Sequence, residues 1–347
     1  MRGQAARGYA RAVPLFDTIA DLAVSIDGYE IERASLDVST GFTRVTTTVV
    51  MNGQGLQGRG EDVTYTGPDH DGFPEDLAIA GDHTLRTASA RLDRQDLFAA
   101  APAMEASRDY RRWAFESAIL DLALQQHGVS LAAAVGREAR PVRFVASTRA
   151  DIGGWIDVDP ALEFKLDPEE DWDDELIAQL AATGRVRVLD FKAYYRGTAV
   201  DMTPDPVLYR TIATTFPEVV IEDASLEGDC REALRGAEDR LSFDAPIHSL
   251  ADVDALPVAV KWLNIKPSRF GTIERLLECI EACESRGVRM YGGGQFELGV
   301  GRRQIQTLAS VFYADTPNDV APGIYNAGGP RPGLPKSPLP AFDRVGF

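Results

Sequence analysis

Three carboxylates follow three successive apolar runs in the second half of the chain. Asp190 ends the run Val-Leu-Asp, Glu222 ends Val-Val-Ile-Glu, and Asp244 ends Leu-Ser-Phe-Asp. A single acid after a strand is often only the cap of the next helix. Three carboxylates that converge on one space, however, repel one another unless a cation joins them. The alternatives are therefore a site for Mg²⁺, with Mn²⁺ as a substitute, or unrelated helix caps.

Two lysines occur in similar settings on either side of these acids. Lys165 ends Leu-Glu-Phe-Lys, and Lys266 ends Leu-Asn-Ile-Lys. Burying a lysine beside such acids costs free energy unless the ammonium is paired or chemically active. Beside a bound cation its pKa should fall toward the range of a general base. Either the two lysines are salt-bridged to the acids, or they form an acid/base pair on opposite faces of a substrate.

Short apolar segments that alternate with helical segments place these residues. The predicted strands are Val142–Ser147, Leu162–Leu166, Val186–Phe191, Val219–Glu222, Leu241–Asp244, Val260–Lys266, Val288–Tyr291 and a short one near Val320. Eight strands with helical crossovers are typical of an α/β fold closed into a (β/α) barrel. Active sites of such barrels lie at the carboxyl ends of the strands, where the acids and lysines occur.

The first part of the chain has a different pattern of predicted strands and helices. Strand-like runs cover Tyr29–Val38, Thr46–Met51 and, after a predicted turn at Asn52-Gly53, Gly55–Val63. A helix follows from about Ser107 to Gln126 and ends at Gly128. This pattern predicts a mixed α+β module. Its loop Ser39–Arg44 either closes over a substrate or is an ordinary hairpin loop.

These sequence patterns divide the chain into three predicted parts: an α+β domain at residues 1–140, the barrel at 141–325, and a proline-rich segment at 326–347. Five prolines exclude regular structure from the last part. It is either a frayed tail or an extended strap over the first domain, and we expect the strap.

The composition limits the class of function. The net charge of −17 argues against nucleic acid as a partner, and no apolar run approaches the roughly 20 residues that span a bilayer. The first eleven residues lack the apolar core of a secretory signal, which predicts a cytoplasmic protein. An anionic substrate would need local positive charge.

The complete set of residues resembles the active site of a known family. Lys165, Asp190, Glu222, Asp244 and Lys266 follow one another at steps of 22 to 32 residues, the length of one βα unit. This order resembles the enolase superfamily, in its muconate-lactonizing-enzyme and o-succinylbenzoate-synthase-like subgroup. The resemblance implies a (β/α)7β-type modified barrel with an N-terminal α+β capping domain. It also implies Mg²⁺ between two catalytic lysines, a small carboxylic acid as substrate, and a homo-oligomer.

Further motifs support the resemblance and suggest substrate contacts. Gly58-Arg-Gly60-Glu61 resembles a turn of the capping domain, and Arg111–Ala134 resembles the helix that joins it to the barrel. Asn264-Ile-Lys-Pro-Ser is similar to the strand-six motif, and Tyr291-Gly-Gly-Gly-Gln-Phe-Glu-Leu-Gly to the strand-seven turn. The candidate substrate-binding residues are Lys192, Asn264, Gln295, Glu297 and Tyr325.

Two positions depart from the family pattern. Glu163 stands where the first lysine of Lys-x-Lys usually lies, and Lys192 stands where an asparagine usually follows the first metal ligand. Strand seven lacks a histidine base, and strand eight lacks the Asp-x-Asp of dipeptide epimerases. The missing histidine disfavours mandelate-racemase-type activity, and the missing Asp-x-Asp disfavours dipeptide-epimerase activity.

The resemblance implies removal of a proton α to a carboxylate, which gives a metal-stabilised enediolate. Racemisation, epimerisation or elimination would follow, and the residues do not decide between them. Two alternatives remain. The barrel is catalytically silent and binds a small acid or a protein partner, or it is a Schiff-base aldolase that uses Lys266.

Overall fold

The computed structural model describes residues 13–39, 42–75, 77–149, 151–196, 198, 200, 202–326 and 328–347. Residues 1–12 and residues 40 and 41 lie outside this set. The prediction about the first eleven residues concerns the first of these ranges, and the tip of the predicted loop Ser39–Arg44 comprises residues 40 and 41. Both predictions therefore lie outside the described residues. No helix in the described ranges combines the length and the apolar character needed to cross a membrane.

The N-terminal region combines two small antiparallel sheets with one long helix. Its strands are β1 (Ala23–Ile26), β2 (Gly28–Ser39), β3 (Phe42–Gly53), β4 (Leu56–Asp62) and β5 (Gly81–Thr84), and its helices are α1 (Leu85–Leu92), α2 (Ser107–His127) and α3 (Leu131–Ala134). Strands β2, β3 and β4 form a meander, and β1 pairs with β5. Helix α2 ends at Gly128, whose φ of 66° is left-handed. The predicted stop at this glycine is confirmed.

The turn between β3 and β4 lies two residues beyond the position expected from the sequence. Gln54 and Gly55 have φ values of 53° and 75°, as a two-residue hairpin turn requires. Gly53 stays in the strand, where an added Cβ would overlap the carbonyl oxygen of Ser25. The prediction of a turn at Asn52-Gly53 is therefore wrong, because Gly53 is needed for close packing against β1.

Strand β4 packs closely on α2 through two glycines. A Cβ at Gly58 would overlap the carbonyl oxygen of Ala118 and the amide nitrogen of Leu122, and one at Gly60 would overlap the carbonyl oxygen of Ala114. The Gly-x-Gly spacing places both glycines on the same face of the strand. It is therefore a packing device that sets the distance between sheet and helix.

We expect Gly58→Ala to destabilise the protein by roughly 1–3 kcal/mol, because the helix must move away from the sheet. Urea denaturation followed by tryptophan fluorescence measures the change. Gly28→Ala is the matched control, since no other group lies within 4 Å of its added Cβ. Equal stability of the two variants would contradict the packing argument.

The second half of the chain alternates strands and helices. Its strands are β6 (Ala146–Thr148), β7 (Phe164–Leu166), β8 (Val186–Asp190), β9 (Val220–Glu222), β10 (Leu241–Ser242), β11 (Trp262–Ile265) and β12 (Arg289–Gly292). Its helices are α4 (Gly153–Val158), α5 (Asp174–Ala182), α6 (Pro206–Thr215), α7 (Asp229–Ala233), α8 (Leu250–Asp254), α9 (Pro267–Phe270), α10 (Ile273–Arg286) and α11 (Val300–Phe312). Strands β6 to β10 form one parallel sheet in sequence order, and β11 pairs in parallel with β12.

Single backbone hydrogen bonds close these two sheets into a barrel. The amide of Asn264 donates to the carbonyl of Phe243 at 3.2 Å, which joins β11 to the end of β10. The amide of Asp319 donates to the carbonyl of Gly292, the last residue of β12, at 2.7 Å. The amide of Val145, just before β6, donates to the carbonyl of Asn318 at 2.8 Å. The eighth strand is thus a short stretch just before Val320. The predicted capped barrel is confirmed.

The C-terminal segment is extended and contacts both halves of the molecule. The backbone of Leu339 pairs antiparallel with Val142 of the barrel. The amide of Phe347 donates to the carboxylate of Asp121 on α2 at 2.7 Å. The Phe347 ring packs edge-on against Trp113 with centroids 6.2 Å apart. The last residues therefore lie against α2.

Candidate active site

The carboxyl ends of the barrel strands bring the predicted acids and lysines to one buried cluster. Lys165 lies within β7, Asp190 and Glu222 end β8 and β9, Asp244 follows β10, and Lys266 follows β11. The three acids are at most 1% exposed. Strands β7 and β11 are the second and sixth of eight, so the two lysines enter from opposite sides of the barrel.

Lys165 is held between two acids. Its Nζ lies 2.6 Å from Glu222 Oε1 and 3.1 Å from Asp190 Oδ2. Burial acts to lower the pKa of Lys165, but the charges of the two carboxylates outweigh it and hold the pKa well above its ordinary value. The ammonium form is therefore stabilised.

Lys266 is bound to the third acid. Its Nζ lies 2.6 Å from Asp244 Oδ2, and the guanidinium of Arg269 donates from Nε to Asp244 Oδ1 at 3.1 Å. The hydroxyl of Tyr195 also donates to Asp244 Oδ2, at 2.9 Å. Burial lowers the pKa of Lys266, but the Asp244 carboxylate dominates and raises it. The pKa values of both lysines are thus raised, because each ammonium contacts a carboxylate.

One group of described carboxylates has the spacing of a metal site. An oxygen of each of Asp190, Glu222 and Asp223 lies within 4.8 Å of the others. Asp244 is not in this group, and its oxygens contact Lys266, Arg269 and Tyr195. Burial raises the pKa of Glu222 to about 7, so a nearby cation would stabilise its charged form. Buried carboxylate oxygens suit a hard divalent cation, and the residues fit Mg²⁺.

Asp223 was not among the predicted site residues. It has a left-handed φ of 50°, and its carboxylate accepts from the amides of Asp244 at 2.8 Å and Ala245 at 3.0 Å. It therefore holds the turn that carries Asp244. Its position directly after Glu222 was the only available signal, and alternation along a strand would have pointed it away from the site.

Tyr291 was also missed. Its hydroxyl donates to Glu222 Oε2 at 2.6 Å and lies 3.0 Å from Ser242 Oγ. The carboxylate of Glu222 thus has a partner on each oxygen, Lys165 on one and Tyr291 on the other. A tyrosine at an inward position of β12, whose buried hydroxyl needs a hydrogen-bond partner, was the signal that could have revealed this contact.

Two of the candidate substrate-binding residues contact the acid cluster. Lys192 Nζ lies 2.6 Å from Asp190 Oδ2 and 3.2 Å from Asp167 Oδ1. The amide of Asn264 donates from Nδ2 to Glu222 Oε1 at 3.0 Å. Its Oδ1 is buried and has no hydrogen-bond partner among the described residues. Both side chains therefore contact the acids that bind Lys165.

Gln295 and Glu297 have different surroundings. The Gln295 side chain lies between two tyrosines of the capping domain, accepting from Tyr65 at 3.1 Å and donating to Tyr110 at 3.3 Å. Glu297 accepts from the amide of Gln295 at 2.6 Å and pairs with Arg302 at 3.0 Å. Gln295 thus reaches the junction of the two domains, whereas Glu297 stabilises the turn after β12.

Tyr325 is not brought to the cluster. Its ring stacks on Trp155 with centroids 5.5 Å apart, and its hydroxyl donates to the carbonyl of Pro335 at 2.7 Å. The short 3₁₀ turn Gly323–Tyr325 places the side chain against α4 and the C-terminal segment. The expected substrate contact is thus replaced by a packing role in this structure.

Glu163 also lies apart from the acid cluster. Its carboxylate accepts from Arg143 Nε at 2.6 Å and from Arg187 Nε at 2.7 Å. These arginines belong to the neighbouring strand segments on either side of β7. The departure from Lys-x-Lys therefore forms a local ion cluster around β7.

The capping domain holds the turn after β12 through a buried acid. Glu61 accepts from the amides of Leu298 at 2.7 Å, Gly299 at 3.0 Å and Gly301 at 2.7 Å. These amides lie at the start of α11, where the helix dipole favours a negative charge. Arg44 adds contacts to the carbonyls of Gln295 and Phe296. Acid and arginine together fix this turn against the capping domain.

Gly293 leaves the space that Lys266 and Asn264 occupy. A Cβ at this position would lie 2.5 Å from Asn264 Oδ1 and 3.0 Å from Lys266 Cε. We expect Gly293→Ala to reduce catalysis about a hundredfold while the fold survives, because a shift near 1 Å misplaces a reacting group. Steady-state assays and circular dichroism measure the two properties. Gly323→Ala, whose Cβ meets nothing within 4 Å, should match the wild type. Unchanged activity of Gly293→Ala would contradict the argument.

The fold and the site define a capped (β/α) barrel with buried acids and two opposed lysines at its mouth. Family comparison matches residues 17–134 to the N-terminal domain, and residues 138–327 to the C-terminal domain, of a domain of unknown function, DUF8230. An N-succinylamino acid racemase of an Amycolatopsis species is 30% identical over 292 residues, covering 78% of this chain and 76% of the relative. The o-succinylbenzoate synthase of Bacillus subtilis is 34% identical over 61 residues, 18% of this chain and 16% of the relative.

Solved structures show the same fold. The dipeptide epimerase of Methylococcus capsulatus, complexed with Mg and the dipeptide L-Arg-D-Lys, matches with a TM-score of 0.69 and 16% identity, covering 93% of this chain and 99% of that one. The muconate lactonizing enzyme of Pseudomonas putida matches with a TM-score of 0.62 and 17% identity, covering 93% and 96%. The chain belongs to the enolase superfamily of enzymes, in its muconate-lactonizing-enzyme and o-succinylbenzoate-synthase-like subgroup.

Proposed function

We propose that this enzyme is a Mg²⁺-dependent racemase or epimerase that removes the proton α to a carboxylate and returns a proton to the opposite face. The observation that carries the proposal is the entry of two buried lysines, Lys165 and Lys266, from opposite sides of one acid cluster. A single base would suffice for exchange on one face. Two lysines across a barrel match a reaction that inverts the carbon.

The acids have a clear role in this proposal. Asp190 and Glu222 would hold the cation together with Asp244, whose carboxylate would exchange a contact with Lys266 or Arg269 for the metal. Asp223 would support the turn of Asp244. When bound, Mg²⁺ supplies a positive charge that stabilises the oxygens of the deprotonated substrate carboxylate. The carboxylates that now pair with the lysines would then be shared with the cation. The lysine ammonium ions would be less stabilised, which favours loss of a proton from one of them.

The lysines transfer the protons. One lysine must be neutral, so that its Nζ can take the α-proton while the electron pair of the C–H bond moves into the carboxylate as an enediolate. The other lysine must be an ammonium, so that its Nζ can donate a proton to the opposite face of the same carbon. The two residues exchange roles in the reverse direction, and no oxidant or co-substrate is needed.

The Amycolatopsis relative indicates which substrates to test first. Its name describes a racemase of N-succinylamino acids, and we propose N-acylated amino acids as the substrate class. Elimination is the second candidate, favoured by the local match to o-succinylbenzoate synthase. It would use one lysine as base and the other to stabilise charge. The expected homo-oligomer stays a prediction, which light scattering can test.

The decisive experiment is proton exchange in D₂O. The protein is incubated with Mg²⁺ and a panel of N-acylamino acids and other small carboxylic acids, and ¹H NMR follows loss of the α-proton signal. We expect exchange with inversion that EDTA abolishes and added Mg²⁺ restores. Loss of water from a β-hydroxy acid would support elimination instead.

The remaining alternatives give different results. A Schiff-base aldolase would be trapped by borohydride together with its substrate and would not respond to EDTA. A silent barrel would exchange no acid and would be unaffected by Lys266→Ala. Absence of exchange across the panel, with Mg²⁺ binding shown by calorimetry, would overturn the proposed function.

A further inference from the structure

Tyr110 is a buried tyrosine at the start of α2 whose hydroxyl proton has no acceptor among the described residues. The residue is only 3% exposed. Its hydroxyl oxygen accepts from Gln295 Nε2 at 3.3 Å. Because this contact uses the oxygen as acceptor, the O–H group is left to donate elsewhere. The described residues offer it no acceptor, and a buried donor without a partner is costly.

The direction of this donor follows from a chain of hydrogen bonds across the domain junction. Tyr65, which is 39% exposed, donates from its hydroxyl to Gln295 Oε1 at 3.1 Å. That contact fixes which end of the Gln295 amide carries the NH₂ group, and the NH₂ group then donates to Tyr110. Each donor is oriented by the one before it, so the Tyr110 hydroxyl proton is the unused donor at the end of this series of hydrogen bonds.

Tyr110 and its hydrogen-bond partner Gln295 lie at the end of the barrel that carries Lys266. Helix α2 packs against α9, which directly follows Lys266. Gln295 lies two residues after Gly293, where an added Cβ would be 3.0 Å from Lys266 Cε. Arg269 cannot accept a hydrogen bond, and the oxygens of Asp244 are already bound to Lys266, Arg269 and Tyr195. A ligand bound next to Lys266 would therefore meet an unused neutral donor.

We propose that Tyr110 is a substrate-binding residue whose hydroxyl donates to a carbonyl oxygen on the α-substituent of the substrate. It would thereby favour acids with an acyl group next to the α-carbon over acids with a plain alkyl group. The inference rests on the proposed function, because it requires the α-carbon to lie beside Lys266. A neutral phenol suits a neutral carbonyl, since its proton is supplied without a change in net charge.

The test compares two ligands in two proteins. One ligand is an N-acetylamino acid, and the other is its carbon isostere, in which CO–NH is replaced by CH₂–CH₂. Calorimetry with Mg²⁺ present measures binding of both ligands to the wild type and to Tyr110→Phe. We expect the variant to bind the N-acetyl compound about five- to tenfold more weakly and the isostere unchanged, because one neutral hydrogen bond is lost.

Two further variants separate recognition from structure. Tyr65→Phe removes the group that orients Gln295, and we expect a smaller weakening that is again confined to the N-acetyl compound. Tyr325→Phe lies outside the site and should bind both ligands as the wild type does. For any ligand that turns over, KM should rise in Tyr110→Phe more than kcat falls.

The outcomes are distinguishable. Equal weakening for both ligands would mean that Tyr110 is only structural, and unchanged binding of both would overturn its role as a donor. Because binding is measured directly, either result is independent of the exchange assay. Discrimination between the ligands without proton exchange would support Tyr110 and overturn the proposed reaction.

Discussion

Lys266→Ala is expected to abolish racemisation while leaving proton exchange intact for one enantiomer. Lys165 remains on the other side of the acid cluster and can still remove and return the α-proton on its own face. The enantiomer whose α-proton faces position 266 has no base and should stop reacting. Removal of a positioned base typically lowers the rate about 10²- to 10⁴-fold. ¹H NMR in D₂O, started from each enantiomer separately, measures the two half-reactions.

Lys165→Ala should show the mirror-image result. It also removes the cation closest to Glu222 and a cation 3.1 Å from Asp190. The comparison is therefore made with Mg²⁺ present and with the fold checked by thermal denaturation. Lys261→Ala replaces an exposed lysine five positions before Lys266 and should retain both half-reactions. If both active-site variants kept racemisation, or if each folded variant lost both exchanges equally, the two-lysine proposal would fail.

Arg111→Ala is expected to cause the largest loss of stability, about 3–5 kcal/mol. Arg111 and Asp62 are both fully buried, with Arg111 Nε 2.9 Å from Asp62 Oδ2. The guanidinium also donates to the carbonyls of Gly72, Leu97 and Asp69. The alanine variant would remove the arginine that donates to Asp62 Oδ2 and to these three carbonyls, and it would leave a buried carboxylate without its cation.

The aromatic neighbours of Arg111 strengthen this expectation. Its guanidinium lies 3.6 Å from the ring centroid of Phe98 and 4.0 Å from that of Phe73, so the planar group fills a space between two rings. Urea denaturation measures the loss. Arg108→Ala, on the same helix but exposed, should cost no more than about 1 kcal/mol. Similar losses for the two variants would contradict the prediction.

Much of the barrel was predictable because strand and helix alternation is a local property. The apolar runs before Asp190, Glu222 and Lys266 match β8, β9 and β11 closely. Residues 149–161, between the first two predicted strands, are too few for a full helix, and α4 has only six residues. Strand ends differ by a few residues where hydrogen bonding stops early, as in β10, which ends at Ser242 before Asp244.

The partners of the site residues were less accessible to prediction. Asp223 was missed because alternation points it away from the site, whereas its left-handed backbone turns the carboxylate toward the amide of Asp244. Tyr110 was missed because it lies in a different domain from the lysines. Tyr325 was expected at the mouth because it follows the eighth strand, but the chain turns and packs the ring on Trp155.

The sequence by itself determined the fold class and the residue types at the strand ends. A parallel barrel repeats one local unit, and each unit places its last polar residue at the same rim. Only the tertiary structure decided which acid binds which lysine, and that Tyr291, Tyr110 and Asp223 join them. These contacts link residues that lie far apart in the chain or on bent backbone, so they depend on how the barrel closes and how the capping domain sits on it. No local pattern carries that information.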